Sequence, residues 1–578
     1  MKKNKLEFDL ADYSSGIKKT LKKFKNKNII NRIWEKDSTV WKEEEGYDEL
    51  IKNRLGWMSL PVSMIDNCDE INGFTDELRD SGFTHAVVMG MGGSSMCPEV
   101  CRDTFGIKEG YLNLHILDTT DPLTILSIED SIDIDKTIFI VSSKSGTTIE
   151  VDSFFRYFFD KVKKLKGAEA GRQFAAITDP GTNLESTAAE NNFRKIFTNP
   201  ADIGGRYSAL SYFGLVPAAL IGADIKLFLN NAEAMMERCM LLTPEMNPGL
   251  MLGAIAGELA LEGKDKLTFF LPYGIRSFGY WVEQLIAEST GKENKGILPI
   301  EGEGIGKKSS YKRDRVFVRY VLGKDSKDEK KIFDELAGKK INLINIVLND
   351  IYDIGGQFYL WEFATAIMGA VLKINPFDEP NVKESKDNTG NVLKFFEENN
   401  SLPVQTPLAE KDGLKIYLDE EHYGKKLSEI INPGIENYLS FFFNQIKKGD
   451  YSAIMAYIQR NKLSEKYLQK IRELIRSRKQ TATTVGFGPR FLHSTGQLHK
   501  GGANNGVFIQ IIAEDVKDIA IPDKPYTFGV LKESQAIGDY ESLVKHKRRV
   551  LKIDLGKDIE KGFKELYKSL KKALQSKD

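Results

Sequence analysis

The chain has 578 residues, too many for one hydrophobic core, so two or more domains are expected. Hydrophobic residues make up 41% and aromatics 10%, which argues against a disordered chain. With 82 basic and 82 acidic residues there is no basic excess to recommend nucleic acid and no acidic excess to suggest a solvating tail.

The N-terminus, "MKKNKLEFDLADYSS", is basic but lacks the apolar core of a signal peptide. Residues 1–75 read as a charged helical arm that ends near "LGWMSLP". From residue 84 strand and helix patterns alternate. "THAVVMG", "YLNLHILD", "KTIFIVSS" and "GRQFAAITD" read as strands, while "SSMCPEVCRDTF" and "TTIEVDSFFRYFFDKVKKL" read as helices. Such alternation indicates a parallel sheet covered on both faces. "LSYFGLVPAALIGADIKLFL", residues 210–229, carries Pro217, Asp224 and Lys226, so a buried helix is expected and no membrane span.

The alternation repeats after residue 225. "DKLTFFLPYG", "DRVFVRYVLG" and "KKINLINIVLND" read as strands, and "SFGYWVEQLIAES" and "GGQFYLWEFATAIMGAVLKI" as helices. Beyond about residue 400, "YSAIMAYIQ", "NNGVFIQIIAE" and "RRVLKIDLG" read as strands among charged helices, and the chain ends in a surface helix with a lysine-rich tail. The expected fold is α/β: two doubly wound parallel-sheet domains, with a helical arm and a mixed α/β extension. The boundaries expected are 1–75 for the arm, 76–225 and 226–410 for the two domains, and 411–578 for the extension.

Four cysteines, Cys68, Cys97, Cys101 and Cys239, are too few for a disulfide framework and fit a reducing cytoplasm. Cys97 and Cys101 could share a helix face, but no histidine or second cysteine pair lies near them. Two buried thiols are expected there, with no metal.

Several turns carry chemistry. "MGMGGSSMCPEV" places Gly90, Gly92 and Gly93 before Ser94 and Ser95 where a helix starts, an arrangement that suits an anion. It is neither the dinucleotide nor the Walker pattern. "VSSKSGTTIE" puts Ser143, Lys144, Ser145, Thr147 and Thr148 at another strand-to-helix turn. A phosphate monoester has three terminal oxygens to satisfy, and four hydroxyls are more than a helix cap uses. In "IGGRYSALS" the amide of Gly205 and the charge of Arg206 suit a developing oxyanion, although an ion-pairing arginine is an equal reading. In "WVEQLIAESTGK", Gln284 and Glu288 lie one helical turn apart, with Gly291 as the expected C′ residue. Partial burial and the helix C-terminus would raise the Glu288 pKa toward that of a general base, while a solvated glutamate on a surface helix is the other reading of this stretch.

"GMGGSS", "SSKSGTT", "IGGRYSALS", "EQLIAESTGK" and "NPFDEPNVKESK" occur in the order found in phosphoglucose isomerases, and the chain resembles that family from about residue 30 to 515. The wording, including "GPRFLHSTGQLHKGG", is most similar to the isomerase half of fused transaldolase/glucose-6-phosphate isomerase proteins, with no transaldolase half expected here. The resemblance implies two sugar-isomerase (SIS) domains and interconversion of glucose 6-phosphate and fructose 6-phosphate through an enediolate, in the cytoplasm. Ser94, Ser143, Ser145 and Thr148 would hold the phosphate, with Lys144 and Thr147 adjoining. Glu288 would move the proton between C1 and C2, Arg206 and Gly205 would meet the enediolate charge, and Gln284 would touch sugar hydroxyls.

Lys386 falls where the family's ring-opening lysine follows an Asp-Gln-x-Gly-Val-Glu pattern, and Glu379 replaces the glutamine of that pattern. The family's ring-opening histidine lies between base and lysine. This chain has six histidines, and none lies between Glu288 and Lys386. Either Lys386 acts without one, or "HSTGQLHK" supplies His493 or His499, of which His499 is favoured. No cofactor and no metal are implied, and the resemblance allows a homodimer. A related phosphosugar isomerase, one acting also on mannose 6-phosphate, and a non-catalytic sugar-phosphate sensor are the alternatives.

Overall fold

A computed structural model describes residues 5–10, 15–323, 331, 333 and 341–575, with the main chain alone at 420–422. Three sheets organise it. The first contains β2 (His85–Gly90), β3 (Asn113–Leu117), β4 (Thr137–Ser142), β5 (Phe174–Thr178) and β6 (Lys195–Thr198), in the order β3-β2-β4-β5-β6. Every pair is parallel. β4 and β5 are buried along their whole length, as continuous apolar runs in a sheet covered on both faces should be.

The second sheet has the order β1-β10-β9-β7-β8, built from β1 (Lys5–Leu10), β7 (Lys266–Phe270), β8 (Leu298–Ile300), β9 (Arg315–Leu322) and β10 (Asn342–Leu348). Four of these strands are parallel. β1 pairs antiparallel with β10, which corrects the all-helical reading of the N-terminal arm. Its sequence, KLEFDL, alternates charged and apolar side chains with a period of two, and one face is exposed at every second residue.

Residues 210–229 form two helices rather than one, Tyr212–Leu220 and Ile225–Cys239. Asp224 ends the continuity by capping the second helix through its contact with the Leu227 amide. The helices around the first two sheets share one large core that includes Trp57, Trp281 and Trp361, each without solvent exposure.

The C-terminal region carries a sheet of its own. β11 (Ala409–Lys411), β12 (Leu414–Leu418), β13 (Tyr451–Tyr457), β14 (Ala482–Phe487), β15 (Gly506–Ile512) and β16 (Arg549–Asp554) take the order β11-β12-β16-β15-β13-β14. Strands β13 to β16 are parallel, and β11 and β12 add an antiparallel edge. The last helix, Ile559–Ala573, buries Phe563, Leu566 and Leu570 against this layer. The lysine-rich tail expected beyond it lies outside the described residues.

Cys97 and Cys101 are buried with their sulfurs 4.0 Å apart, and burial pushes the Cys97 thiol well up. Among the described residues no group of His, Cys, Asp and Glu could hold a metal ion, and no helix is long and apolar enough to cross a membrane.

Candidate active site

Two neighbouring strands of the first sheet end in the serine-rich turns. Gly90 of β2 stands opposite Ser142 of β4, so the turns leave the same edge side by side. The glycines let this edge touch its surroundings. Gly92 has φ +58°, and a Cβ on Gly93 would lie 1.9 Å from the Gly205 carbonyl. A Cβ on Gly92 would lie 2.8 Å from Gln284 Nε2 and 3.1 Å from the His493 carbonyl. The first turn therefore packs backbone-close against the arginine loop, the base helix and the histidine turn. Ser94 sits in the first turn of the helix Gly93–Phe105.

In the second turn Ser143 and Thr148 hydroxyls lie 3.2 Å apart, and those of Ser145 and Thr147 3.0 Å apart. Thr148 is the N-cap of the helix Ile149–Lys166 yet makes no side-chain capping bond. Its hydroxyl faces Ser143 instead, so the cap reading does not account for it. Lys144 is engaged elsewhere, in an ion pair with Asp179.

Gln284 and Glu288 share the inward face of the helix Phe278–Thr290, with Gln284 Nε2 donating to Glu288 at 3.1 Å and to the His493 carbonyl at 2.8 Å. Glu288 is 7% exposed, and burial raises its carboxyl pKa. The Arg206 guanidinium, 3.3 Å away, opposes that shift, while the neighbouring Glu379 charge adds to it. Gly291 ends the helix at φ −78°, not in the left-handed conformation expected of a C′ glycine. It is glycine for another reason: a Cβ would lie 2.3 Å from Leu498 Cα.

Arg206 is buried and spends its donors on four partners: Ser289 at 2.7 Å, Glu379 at 2.9 Å, and the carbonyls of Pro376 at 2.8 Å and Asp378 at 3.0 Å. It ties the base helix to the loop 376–379. Burial alone would raise the Glu379 pKa, but Arg206 holds it below the usual range. Lys292 joins the same loop through Asp378 Oδ1 at 2.7 Å, and burial lowers its pKa to about 8.

The histidines divide differently from expectation. His499 is 3% exposed and packs its ring 5.0 Å from Phe508 and 6.3 Å from Phe491, in an aromatic cluster of the third sheet. Burial pushes its pKa well down, with the Lys500 and Arg548 charges assisting. A neutral histidine in that core is no proton carrier for the Glu288 site, which corrects its assignment.

His493 lies closer to Gln284 and Glu288. Its Nε2 lies 2.9 Å from Glu150, and its carbonyl receives Gln284. Glu150 also accepts from Gln535 at 2.8 Å. Burial would raise the Glu150 carboxyl, but His493 and the Lys386 ammonium hold it below the usual range. Lys386 itself is exposed, on the helix Val382–Asn399. Gln497 closes the assembly by donating to the Gly291 carbonyl at 2.9 Å and to Asn381 at 2.8 Å.

Of the residues expected from sequence, the structure thus brings together Ser94, Ser143, Thr148, Gly205, Arg206, Gln284 and Glu288, with Lys386 within electrostatic reach of Glu150. Lys144 turns to Asp179, Ser145 and Thr147 form the outer rim of the turn, and His499 lies outside. Glu150, Lys292 and Gln497 were not singled out in the sequence, although each stands inside or beside a motif that was.

Residues 68–297 match the phosphoglucose isomerase family. Over this span the chain is similar to that family. The matched span holds the serine turns, Arg206 and Glu288 but ends before Lys386 and His493, and so is narrower than the motifs implied. A curated glucose-6-phosphate isomerase of Methanocaldococcus jannaschii is 27% identical over 387 residues, covering 59% of this chain and 95% of the relative. One of Carboxydothermus hydrogenoformans is 29% identical over 405 residues, covering 60% of this chain and 87% of the relative. Among solved structures, a glucose-6-phosphate isomerase from Chlamydia trachomatis superposes on 68% of this chain and 89% of its own with a TM-score of 0.58 at 18% identity, which speaks for a phosphosugar isomerase fold. Phosphoglucose isomerase relatives therefore account for about three-fifths of the chain.

Proposed function

We infer that this protein interconverts glucose 6-phosphate and fructose 6-phosphate, and that the residues above divide the work as follows. The observation that carries the reading is the buried Glu288, held between Gln284 and Arg206 beside the two serine turns. Ser94, Ser143 and Thr148 converge on the end of the first sheet, where hydroxyls and a helix N-terminus favour a phosphate. That would leave the sugar carbons near the base helix.

Isomerisation moves one proton between C2 and C1. Glu288 takes it from C2 as the O1 carbonyl oxygen gains negative charge, a proton passes from the O2 hydroxyl to O1, and Glu288 returns its proton to C1 as O2 becomes the carbonyl oxygen. Its raised pKa, brought about by burial, favours the same carboxyl serving as base and then as acid. Arg206, already charged and fixed by four partners, meets the enediolate without having to reorganise.

The substrate arrives as a ring, and opening it breaks C1–O5 while a proton leaves the anomeric hydroxyl and another reaches O5. His493, oriented by Glu150, and Lys386 are the groups we assign to those transfers. A homodimer is compatible with this assignment. A hexose 6-phosphate substrate and four free, buried cysteines both suit the cytoplasm.

The test is fructose 6-phosphate turnover by the purified protein, read with a coupling dehydrogenase, beside Glu288→Gln. Turnover that falls by about a hundredfold or more in the variant, with substrate binding retained, supports both the activity and the base. Equal turnover in the two proteins removes Glu288 from the role, and saturable hexose-phosphate binding without turnover in the native protein supports a sensor instead.

A further inference from the structure

The helix that carries the base has a second polar face. Tyr280 and Glu283 turn away from Glu288 and line a cavity of about 560 Å³, closed on its other sides by residues of β7, by Glu301, by Arg472 of the helix Lys462–Lys479, and by Phe487. It opens past Arg276 and Arg460 into a second cavity of about 550 Å³ that reaches the first sheet at Asp118 and Thr119. The space thus sits where all three sheets meet, and it is separate from the serine turns.

Its polar groups are incompletely used. Glu283 and Glu301 are each 8% exposed, and among the described residues neither carboxyl has a hydrogen bond or an ion pair. Burial and the Glu301 charge push the Glu283 carboxyl well up. Arg472 donates Nε to the Thr483 carbonyl at 2.8 Å and Nη2 to the Glu301 carbonyl at 2.5 Å, leaving Nη1 beside Gly302. Arg276 at the rim is exposed, lies 4.8 Å from the Tyr273 ring and has no side-chain ion pair among the described residues. Arg460 and Arg490 are already ion-paired with Glu99, Glu465 and Asp118.

Unpaired buried carboxyls call for hydroxyl partners, because leaving them unmatched costs free energy that a ligand would recover. A free guanidinium at the mouth calls for an anion. Tyr280, Phe487 and Phe491 line the same space and give it an apolar wall for the C–H side of a sugar. The volume is in the range of small-molecule sites, and the several arginines around it disfavour a cation. We propose that this cavity binds a phosphorylated polyol or sugar, with hydroxyls on Glu283 and Glu301 and the phosphate at Arg276.

Such a ligand would share two walls with the catalytic cluster. Helix Phe278–Thr290 shows Glu283 to the cavity and Glu288 to the other side. The turn Arg490–His493 shows Arg490 and Phe491 to the cavity and His493 to Glu150. Occupancy therefore bears on both the base and the ring-opening histidine, which makes the site regulatory.

Titration calorimetry with glucitol 6-phosphate, which has no carbonyl and cannot isomerise, tests this. Two sites per chain are expected in the native protein. Arg276→Ala and Glu301→Gln should each weaken one of them about tenfold or more while isomerase kinetics without the probe stay unchanged. The double change Ser143→Ala, Thr148→Ala should weaken the other. In the kinetics, the probe should lower Vmax as well as raise KM in the native protein, and act as a purely competitive inhibitor in Arg276→Ala. A single site that Arg276→Ala and Glu301→Gln leave intact overturns the cavity proposal. A site lost in those two variants, in a protein without isomerase activity, upholds the cavity and overturns the catalytic reading instead.

Discussion

The serine turn after β4 and the proton-transfer cluster make an instructive pair. The turn is one uninterrupted stretch, Ser143 to Thr148, whose hydroxyls face each other within a few residues. The cluster draws Glu150, Arg206, Glu288, Glu379 and His493 from five separate segments and binds them by buried contacts. Holding a phosphate needs many modest donors, any one of which can be spared. Moving a proton needs a few groups at fixed distances, and fixing them takes tertiary structure.

That difference predicts unequal sensitivity. Arg206→Lys keeps the charge but cannot reach four partners in the planar fork geometry of a guanidinium, so kcat should fall about a hundredfold with little change in KM. His493→Gln should cost about tenfold to a hundredfold, and the loss should be smaller when the open-chain form of the sugar is supplied by a mutarotating auxiliary enzyme. His499→Gln, six residues further along, should change thermal stability and leave kcat in place. If the two histidine variants behaved alike, the division between site and core histidine would fail.

In the turn, Ser143→Ala should raise KM about fivefold to tenfold, the value of one hydrogen bond, with kcat nearly unchanged. A large kcat loss there would erase the distinction between the two regions. Glu379→Gln should have the smallest effect. It removes a negative charge that raises the Glu288 pKa, so the base stays ionised to lower pH and the acid limb of the kcat/KM profile moves to lower pH. An acid limb that moves upward would show that Glu379 acts on Glu288 in the opposite sense.

The same contrast governs what the sequence disclosed. The parallel strands of the first sheet and the serine turns announce themselves by local pattern, and the helix with Gln284 and Glu288 by spacing. The edge strand β1 was hidden by a charged composition, although its alternation of period two was there to be seen. Strand β14, ATTVGF, is short and lies beside a charged helix, and so was missed. The histidine was the harder problem. His493 and His499 stand in one motif, and no local feature distinguishes them. Only the packing of Phe508 and Phe491 around one ring and the reach of Glu150 to the other decide between them. Lys292 behaves likewise: its lowered pKa comes from burial in the folded chain, not from its neighbours in sequence.

Gly291 has a consequence for how the chain can be shortened. The base helix ends where the Leu498 backbone leaves no room for a Cβ, and Gln497 grips both that end and the loop that follows Arg206's partners. The C-terminal sheet is thus a brace on the segment that bears the base, and the span matching the isomerase family stops short of it. Cutting the chain back to that span would strip the brace as well as His493. It would also remove Trp57 and Trp361 from the core that the first two sheets share, so the serine turns would lose their support along with the alignment of the base.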